Sequence, residues 1–290
     1  MKIEVKGHSG CQINVVPEGH DIFIYKSTSD PKYVKRLVLQ AEKQKKAGEV
    51  EYSHIRIPKI LDIGIKEGSV SVKMEYVYSR NFVDFFEQAG FEQIEYLIEA
   101  LKYFIDYEVG HSRVQRVSSE LFRSKFAEVK SKCISNTALN LMGDNAIMQI
   151  IDRSEMVFFR LKDLNLPIGL CHGDLTFSNI LFNGNNYFLI DFLDNFVETP
   201  LQDIVKIRQD SKHLWSPLMY NKHYDEVRLH IILNKIDKEI DSYFGSMYPW
   251  YRECYHVMQL MNLLRILPYA HEEKVISHLK NELNAILDEF

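Results

Sequence analysis

An α+β fold follows from three features of the 290-residue sequence. Strand-like runs punctuated by glycine fill the chain up to about residue 78. Apolar positions at helical spacing dominate from residue 79 onward. A single Asn/Gly-centred hairpin at residues 180–190 interrupts the helical part. The resulting division is an N-terminal lobe at 1–78, carrying a small antiparallel sheet and one helix, and a mainly helical C-terminal lobe at 79–290.

In the first lobe, residues 2–6, 12–16 and 21–25 cluster β-branched and aromatic side chains, with Gly7, Gly10 and Gly19 between them. These read as strands and turns. Residues 32–46 place Val34, Leu37, Val38 and Ala41 on one helical face, and Asp30-Pro31 supplies a start signal. Residues 59–65 and 70–77 form a hairpin about Lys66-Glu67-Gly68-Ser69, so the sheet has five strands. The joint falls at 75–81. Helices follow at 92–107, 119–133 and 145–161. After a loop-and-strand stretch they return at 201–210, 224–244, 250–267 and 272–287. Their apolar stripes are core-forming.

Composition narrows the function classes. The formal net charge is -5, which argues against a whole-protein electrostatic grip on nucleic acid. No run approaches the roughly 18 apolar residues that span a bilayer, and the N-terminus lacks the apolar core of a secretory signal. Cys11, Cys133, Cys171 and Cys254 are too far apart for a zinc knuckle. They read as reduced thiols of a cytoplasmic protein.

The chemistry concentrates in Cys171-His172-Gly173-Asp174-Leu175-Thr176-Phe177-Ser178-Asn179-Ile180-Leu181-Phe182 and, after the turn, Tyr187-Phe188-Leu189-Ile190-Asp191-Phe192. If Phe182 faces Tyr187, residues 179 and 190 also pair, because each step back along one antiparallel strand is matched by a step forward along the other. Asn179 and Asp191 then stand side by side at one end of the hairpin. Two hard oxygen donors there suit Mg²⁺, which keeps several waters and shares phosphate oxygens. Asp174, a few residues upstream, is placed to take a proton from an attacking hydroxyl. Positioned metal, base and nucleophile are the parts that phosphoryl transfer needs.

The string His-Gly-Asp-Leu-x-x-x-Asn-Ile-Leu, followed by Ile-Asp-Phe, resembles the aminoglycoside phosphotransferase and choline kinase superfamily, whose members share a protein-kinase-like bilobal fold. The resemblance implies that Asp174 is the catalytic base, five residues before Asn179 as in kinase catalytic loops. Asn179 and Asp191 match the metal positions, and His172 the structural histidine that opens the loop. Thr199-Pro200-Leu201-Gln202-Asp203 resembles the family's helix start, where Asp203 would brace the catalytic loop. In the small lobe, Lys26 matches the nucleotide-phosphate lysine and Glu42 its ion-pair partner. Met74-Glu75-Tyr76-Val77 matches the hinge, with backbone groups of Glu75 and Val77 against the base. His8-Ser9-Gly10-Cys11-Gln12 would cover the phosphates without a G-x-G-x-x-G pattern. Asp191 is followed by Phe192-Leu193-Asp194, with no room before Asp203 for an activation loop, and this departs from protein kinases.

The implied activity is ATP- and Mg²⁺-dependent phosphorylation of a small-molecule hydroxyl, with GTP as the other nucleotide to consider. The acceptor side is open among an aminoglycoside, a choline-like amino alcohol and a sugar. Asp194 and Asp210 are acidic candidates for acceptor contacts. The aromatics Trp215, Tyr220, Tyr243, Tyr248, Trp250, Tyr251 and Tyr255 could stack on a sugar or box a quaternary ammonium, or simply pack the core. From residue 195 onward, 14 acidic against 11 basic residues is too mild an excess to single out a polycation. The competing classes are a protein kinase, a nucleotide-binding pseudokinase, a metallophosphoesterase and a helical nucleic-acid module. The histidines form no cluster of the kind the phosphoesterase needs.

Overall fold

The computed structural model describes residues 3–6, 11–142 and 144–290. In chain order the elements are β1 (Ile3–Lys6), β2 (Gln12–Glu18), β3 (Asp21–Thr28), α1 (Pro31–Ala47), β4 (Ile55–Arg56), β5 (Ile60–Lys66) and β6 (Ser69–Glu75). Next come α2 (Phe82–Gln88), α3 (Phe91–Gly110), β7 (Arg113–Val117), α4 (Ser119–Ser135), α5 (Thr137–Met142), α6 (Asp144–Arg160) and β8 (Leu164–Ile168). The chain ends with β9 (Ile180–Asn183), β10 (Asn186–Leu189), α7 (Pro200–Ser211), α8 (Trp215–Met219), α9 (Glu226–Met247), α10 (Pro249–Leu264) and α11 (Glu273–Leu287). This is the α+β architecture the sequence predicts, with a five-stranded N-terminal sheet, one helix beside it and a mainly helical remainder.

Two compact units emerge: Met1–Asp106 with His172–Asn195 and Tyr224–Leu229, and Tyr107–Cys171 with Phe196–His223 and His230–Phe290. A break near 78 separates strand-rich from helix-rich sequence, whereas compactness draws residues 79–106 and the 172–195 segment into the first unit.

In that unit the antiparallel sheet runs β1-β2-β3-β6-β5. The β5–β6 turn is as short as the sequence implies: Lys66 pairs with Ser69, and Gly68 takes φ +73°. Helix α1 starts where Asp30 accepts a hydrogen bond from the Lys32 N–H and Pro31 fixes the first turn. Its Leu37 and Ala41 pack on Val70 and Val72 of β6, with Val34, Val38, Ile60, Ile63 and Met74 around them. Burial on this scale, about 25 cal/mol per Å² of apolar surface, fixes the helix against the sheet.

The β9–β10 hairpin has the expected register, Phe182 opposite Tyr187, with Gly184 at φ +57° in the turn. Two unforeseen elements secure it. The two-residue β4 runs parallel to β10, and α2 supplies Phe82, Phe85 and Phe86. Phe85 stacks on Phe182 at 4.4 Å between ring centroids, and Phe86 meets Phe177 edge-on at 5.3 Å. Phe177 is fully buried between Asp174 and Asn179, so aromatic packing anchors the loop carrying both.

The second unit holds α4–α8, most of α9, α10, α11 and the antiparallel β7–β8 pair. The β7–β8 pair joins segments that flank α4–α6, a non-local pairing absent from the sequence reading. Within this unit Arg208 is buried and forks onto both carboxylate oxygens of Asp237 (2.8 and 3.1 Å), while also donating to Asp241 and Tyr251. Tyr251 and Tyr255 are buried core residues and Trp250 nearly so. The aromatic-box alternative therefore loses these three, whose rings are spent on packing. Burial pushes the Cys133 and Cys254 thiols up to about 12, which makes them inert interior groups. Among the described residues no helix is long and apolar enough to cross a membrane.

Candidate active site

The loop from His172 to Asn179 is built around a buried histidine. His172 is fully enclosed; its Nε2 donates to the Ile190 carbonyl at 2.9 Å, and its Nδ1 accepts from the Asp174 N–H at 3.2 Å. Those roles require the neutral Nε2–H tautomer. Burial pushes its pKa down to about 4, with Asp174 pulling the other way. The ring also packs on Phe192 at 4.2 Å. One side chain thus ties the start of the loop to both sides of Asp191.

Gly173 follows in the left-handed region at φ +90°. A Cβ there would overlap the Leu193 carbonyl oxygen and crowd the Asn195 amide. Asn195 Nδ2 donates to the Gly173 carbonyl at 2.8 Å, and the Leu193 N–H donates to the His172 carbonyl at 2.9 Å. Only glycine permits this approach of the two segments.

Asn179 Nδ2 donates to Asp174 twice, to its carbonyl at 2.8 Å and to its Oδ2 at 3.0 Å. The Ile190 N–H donates to the Asn179 carbonyl at 3.1 Å, extending the hairpin by the one step the register implies. Asp191 comes next, at φ +62°, a backbone region that aspartate tolerates better than most side chains. Its Oδ1 lies 2.7 Å from Lys26 Nζ. Lys26 sits on β3 opposite Val72 of β6, and it is buried.

The donor chemistry at this end of the hairpin suits a hard cation. With Nδ2 committed to Asp174, Asn179 Oδ1 remains as an amide oxygen donor, and Asp191 adds a carboxylate. Among the described residues no three His, Cys, Asp or Glu side chains are grouped to cage a metal. One carboxylate and one amide fit a cation that draws its other ligands from phosphate and water, as Mg²⁺ does.

The structure thus brings Lys26, His172, Asp174, Asn179 and Asp191 together within the first unit. Two expected assignments are corrected. Glu42 is exposed and does not pair with Lys26, whose ion-pair partner is Asp191. The buried stripe of α1 is Leu37, Gln40, Ala41, Gln44 and Ala47; one step of about 100° past Ala41 turns Glu42 to solvent. Asp210 is fully buried, and its carboxylate accepts the Ser216 N–H at 3.0 Å at the start of α8. It is a structural acceptor of the second unit, closed to a diffusing substrate.

The remaining residues fall as follows. Asp194 is exposed on the segment after Asp191. Asp203 is fully buried in the first turn of α7, in the second unit. Glu75 ends β6, where its Oε2 accepts the Lys59 N–H at 3.2 Å, and Val77 lies in the irregular segment beyond. Of the phosphate-covering turn, His8, Ser9 and Gly10 lie outside the described residues. The sequence reading missed Lys43, whose Nζ donates to the Leu193 carbonyl at 2.6 Å, and Asn195. The helical phase of α1 separates Lys43 from its neighbours Lys45 and Lys46; nothing local to Asn195 signals its role.

Comparison with known proteins bears on the segment and on the fold. Residues 144–220 match the family described as the phosphotransferase enzyme family, and over this segment, which contains Asp174, Asn179 and Asp191, the chain carries that family's sequence pattern. No curated protein matches the sequence. The fold is shared with solved phosphotransferases. One is a thermostable mutant of aminoglycoside phosphotransferase APH(4)-Ia in ternary complex with ADP and hygromycin B. It has a TM-score of 0.64 at 10% identity, over 99% of this chain and 93% of that one. A second is the amicoumacin kinase hAmiN in complex with AMP-PNP, Ca²⁺ and Ami, with a TM-score of 0.59 at 12% identity, over 99% and 88%. A third is an aminoglycoside-3'-phosphotransferase of type VIII, with a TM-score of 0.53 at 14% identity, over 99% and 93%.

Proposed function

We propose that the chain transfers the γ-phosphoryl group of ATP, or GTP, to a hydroxyl of a small molecule. The observation that carries this reading is the meeting of Lys26, Asp174, Asn179 and Asp191 around one hairpin end, linked by contacts of 2.7 to 3.1 Å. Solved proteins of the same fold hold ADP or AMP-PNP beside compounds such as hygromycin B, which favours a small-molecule acceptor.

In this reading Lys26 binds the α- and β-phosphate oxygens, and Asp191 keeps its ammonium directed at them. Backbone groups at Glu75 and Val77 receive the base. Asn179 and Asp191 hold Mg²⁺, which when bound neutralises phosphate charge as it builds. Asp174, fixed by Asn179 Nδ2, orients the acceptor hydroxyl. As the new O–P bond forms and the bond from the γ-phosphorus to the bridging oxygen breaks, the hydroxyl proton passes to Asp174 and the nucleoside diphosphate leaves with that oxygen. Positioning and fixed electrostatics supply most of the rate. His172 serves by holding the loop. Asp194 is the acidic side chain on this segment available to an amine-bearing acceptor.

The test is release of ADP from Mg-ATP across aminoglycosides, choline and ethanolamine, other amino alcohols, and sugars. Stimulation by one class identifies the acceptor. Binding of Mg-ATP with no turnover on any acceptor would move the assignment to a pseudokinase, and failure to bind it would overturn the phosphotransferase reading.

A further inference from the structure

The residue after Glu42 does what Glu42 does not. Lys43 stands beside the buried stripe of α1 and sends its ammonium to the Leu193 carbonyl at 2.6 Å. The same Leu193 gives its N–H to the His172 carbonyl at 2.9 Å. The two ends of residue 193 are therefore held from opposite directions, one by the helix and the other by the catalytic loop. Asp191 lies two residues earlier, in the left-handed region, so the direction of its carboxylate depends on how the backbone from 191 to 193 is fixed. A hydrogen bond from a charged donor to a carbonyl is among the stronger ones a chain makes, and here it reaches 150 residues along the sequence.

We infer that Lys43 is a positioning residue for Asp191, coupling the placement of α1 to the carboxylate that would hold the nucleotide's cation. This rests on the phosphotransferase reading. In this role Lys43 acts through the Leu193 backbone that its ammonium holds. Its loss affects the metal-dependent part of nucleotide binding and spares the part that Lys26 and the base contacts supply.

The experiment measures AMP-PNP affinity with and without Mg²⁺, together with thermal unfolding, for wild type, Lys43→Met and Lys43→Arg. Wild type gains affinity on adding Mg²⁺. Lys43→Met loses about tenfold of that gain while its metal-free affinity stays within about twofold, the size expected for one charged hydrogen bond. Lys43→Arg retains most of the gain because it still donates. An undiminished gain in Lys43→Met overturns the inference and leaves the phosphotransferase reading standing. So does a parallel fall of metal-free affinity and melting temperature, which would mark a merely structural residue. Should Lys43→Met fail to fold, Lys43→Gln replaces it: its shorter, neutral amide cannot stand in for the charged donor, so it must lose the gain while keeping metal-free affinity, and an undiminished gain overturns the inference. Absence of nucleotide binding by wild type overturns both readings together.

Discussion

Lys26 Nζ and Asp191 Oδ1 lie 2.7 Å apart although 165 residues separate them in the chain. The ammonium is almost wholly buried, while the Asp191 side chain keeps 39% of its exposure. A buried cation is thus neutralised by a carboxylate that still faces solvent.

This pair has a measurable signature without any ligand. Lys26→Met and Asp191→Asn, singly and together, form a double-mutant cycle in urea unfolding. The half-exposed carboxylate limits the coupling to about 1 kcal/mol. Additive single effects would contradict the contact. Lys26→Met alone should change stability by less than about 1.5 kcal/mol, since it replaces a buried stem with one of similar volume, yet it should weaken nucleotide binding at least about tenfold.

Gly173→Ala tests the closeness of the two active-site segments. The added methyl meets the Leu193 carbonyl oxygen, and φ +90° is strained for any side chain. A loss of about 3 kcal/mol is expected in chemical denaturation, with turnover falling further because Asp174 is the next residue. Gly184→Ala, with nothing near its Cβ, should cost about 1 kcal/mol. Equal costs at the two sites would contradict the packing described.

His172 makes stability depend on acid. Its pKa falls from 6.5 to about 4 on folding, because burial disfavours the imidazolium. Between those values the unfolded chain binds more protons than the folded one. The contribution is therefore complete above about pH 6.5 and is lost as pH falls toward 4, by up to about 3 kcal/mol. Urea unfolding at stepped pH measures it, and His172→Gln should flatten that slope. A slope of opposite sign between pH 4 and 6.5, removed by the same substitution, would contradict the neutral buried tautomer.

Much of this site could be read from the sequence because its signals are local. The alternation in 180–182 and 187–190 and the Asn/Gly turn between them set the hairpin register, which in turn placed Asn179 beside Ile190 and Asp191. The five strands of the small sheet were legible for the same reason. What escaped was non-local or depended on phase. The two-residue β4 exists only because β10 offers it a parallel edge, and α2 is a short Phe-rich segment that periodicity does not separate from a loop. Glu42 and Lys43 are adjacent in one lysine-rich stretch, so composition cannot rank them; the helix phase turns one to solvent and the other to Leu193. Asp210 shows the limit from another side, since an acidic residue in a helix reads as a surface charge until the fold buries it against the Ser216 N–H.

In the proposed reaction Asp174 receives the proton of an acceptor hydroxyl while the neighbouring groups hold the nucleotide. The most direct measurement is transfer of labelled γ-phosphate from Mg-ATP to an acceptor by wild type and by Asp174→Asn, with AMP-PNP affinity determined in parallel. The substitution should lower transfer by at least about 100-fold and change nucleotide affinity by less than about threefold. Transfer at the wild-type rate by Asp174→Asn would contradict this role.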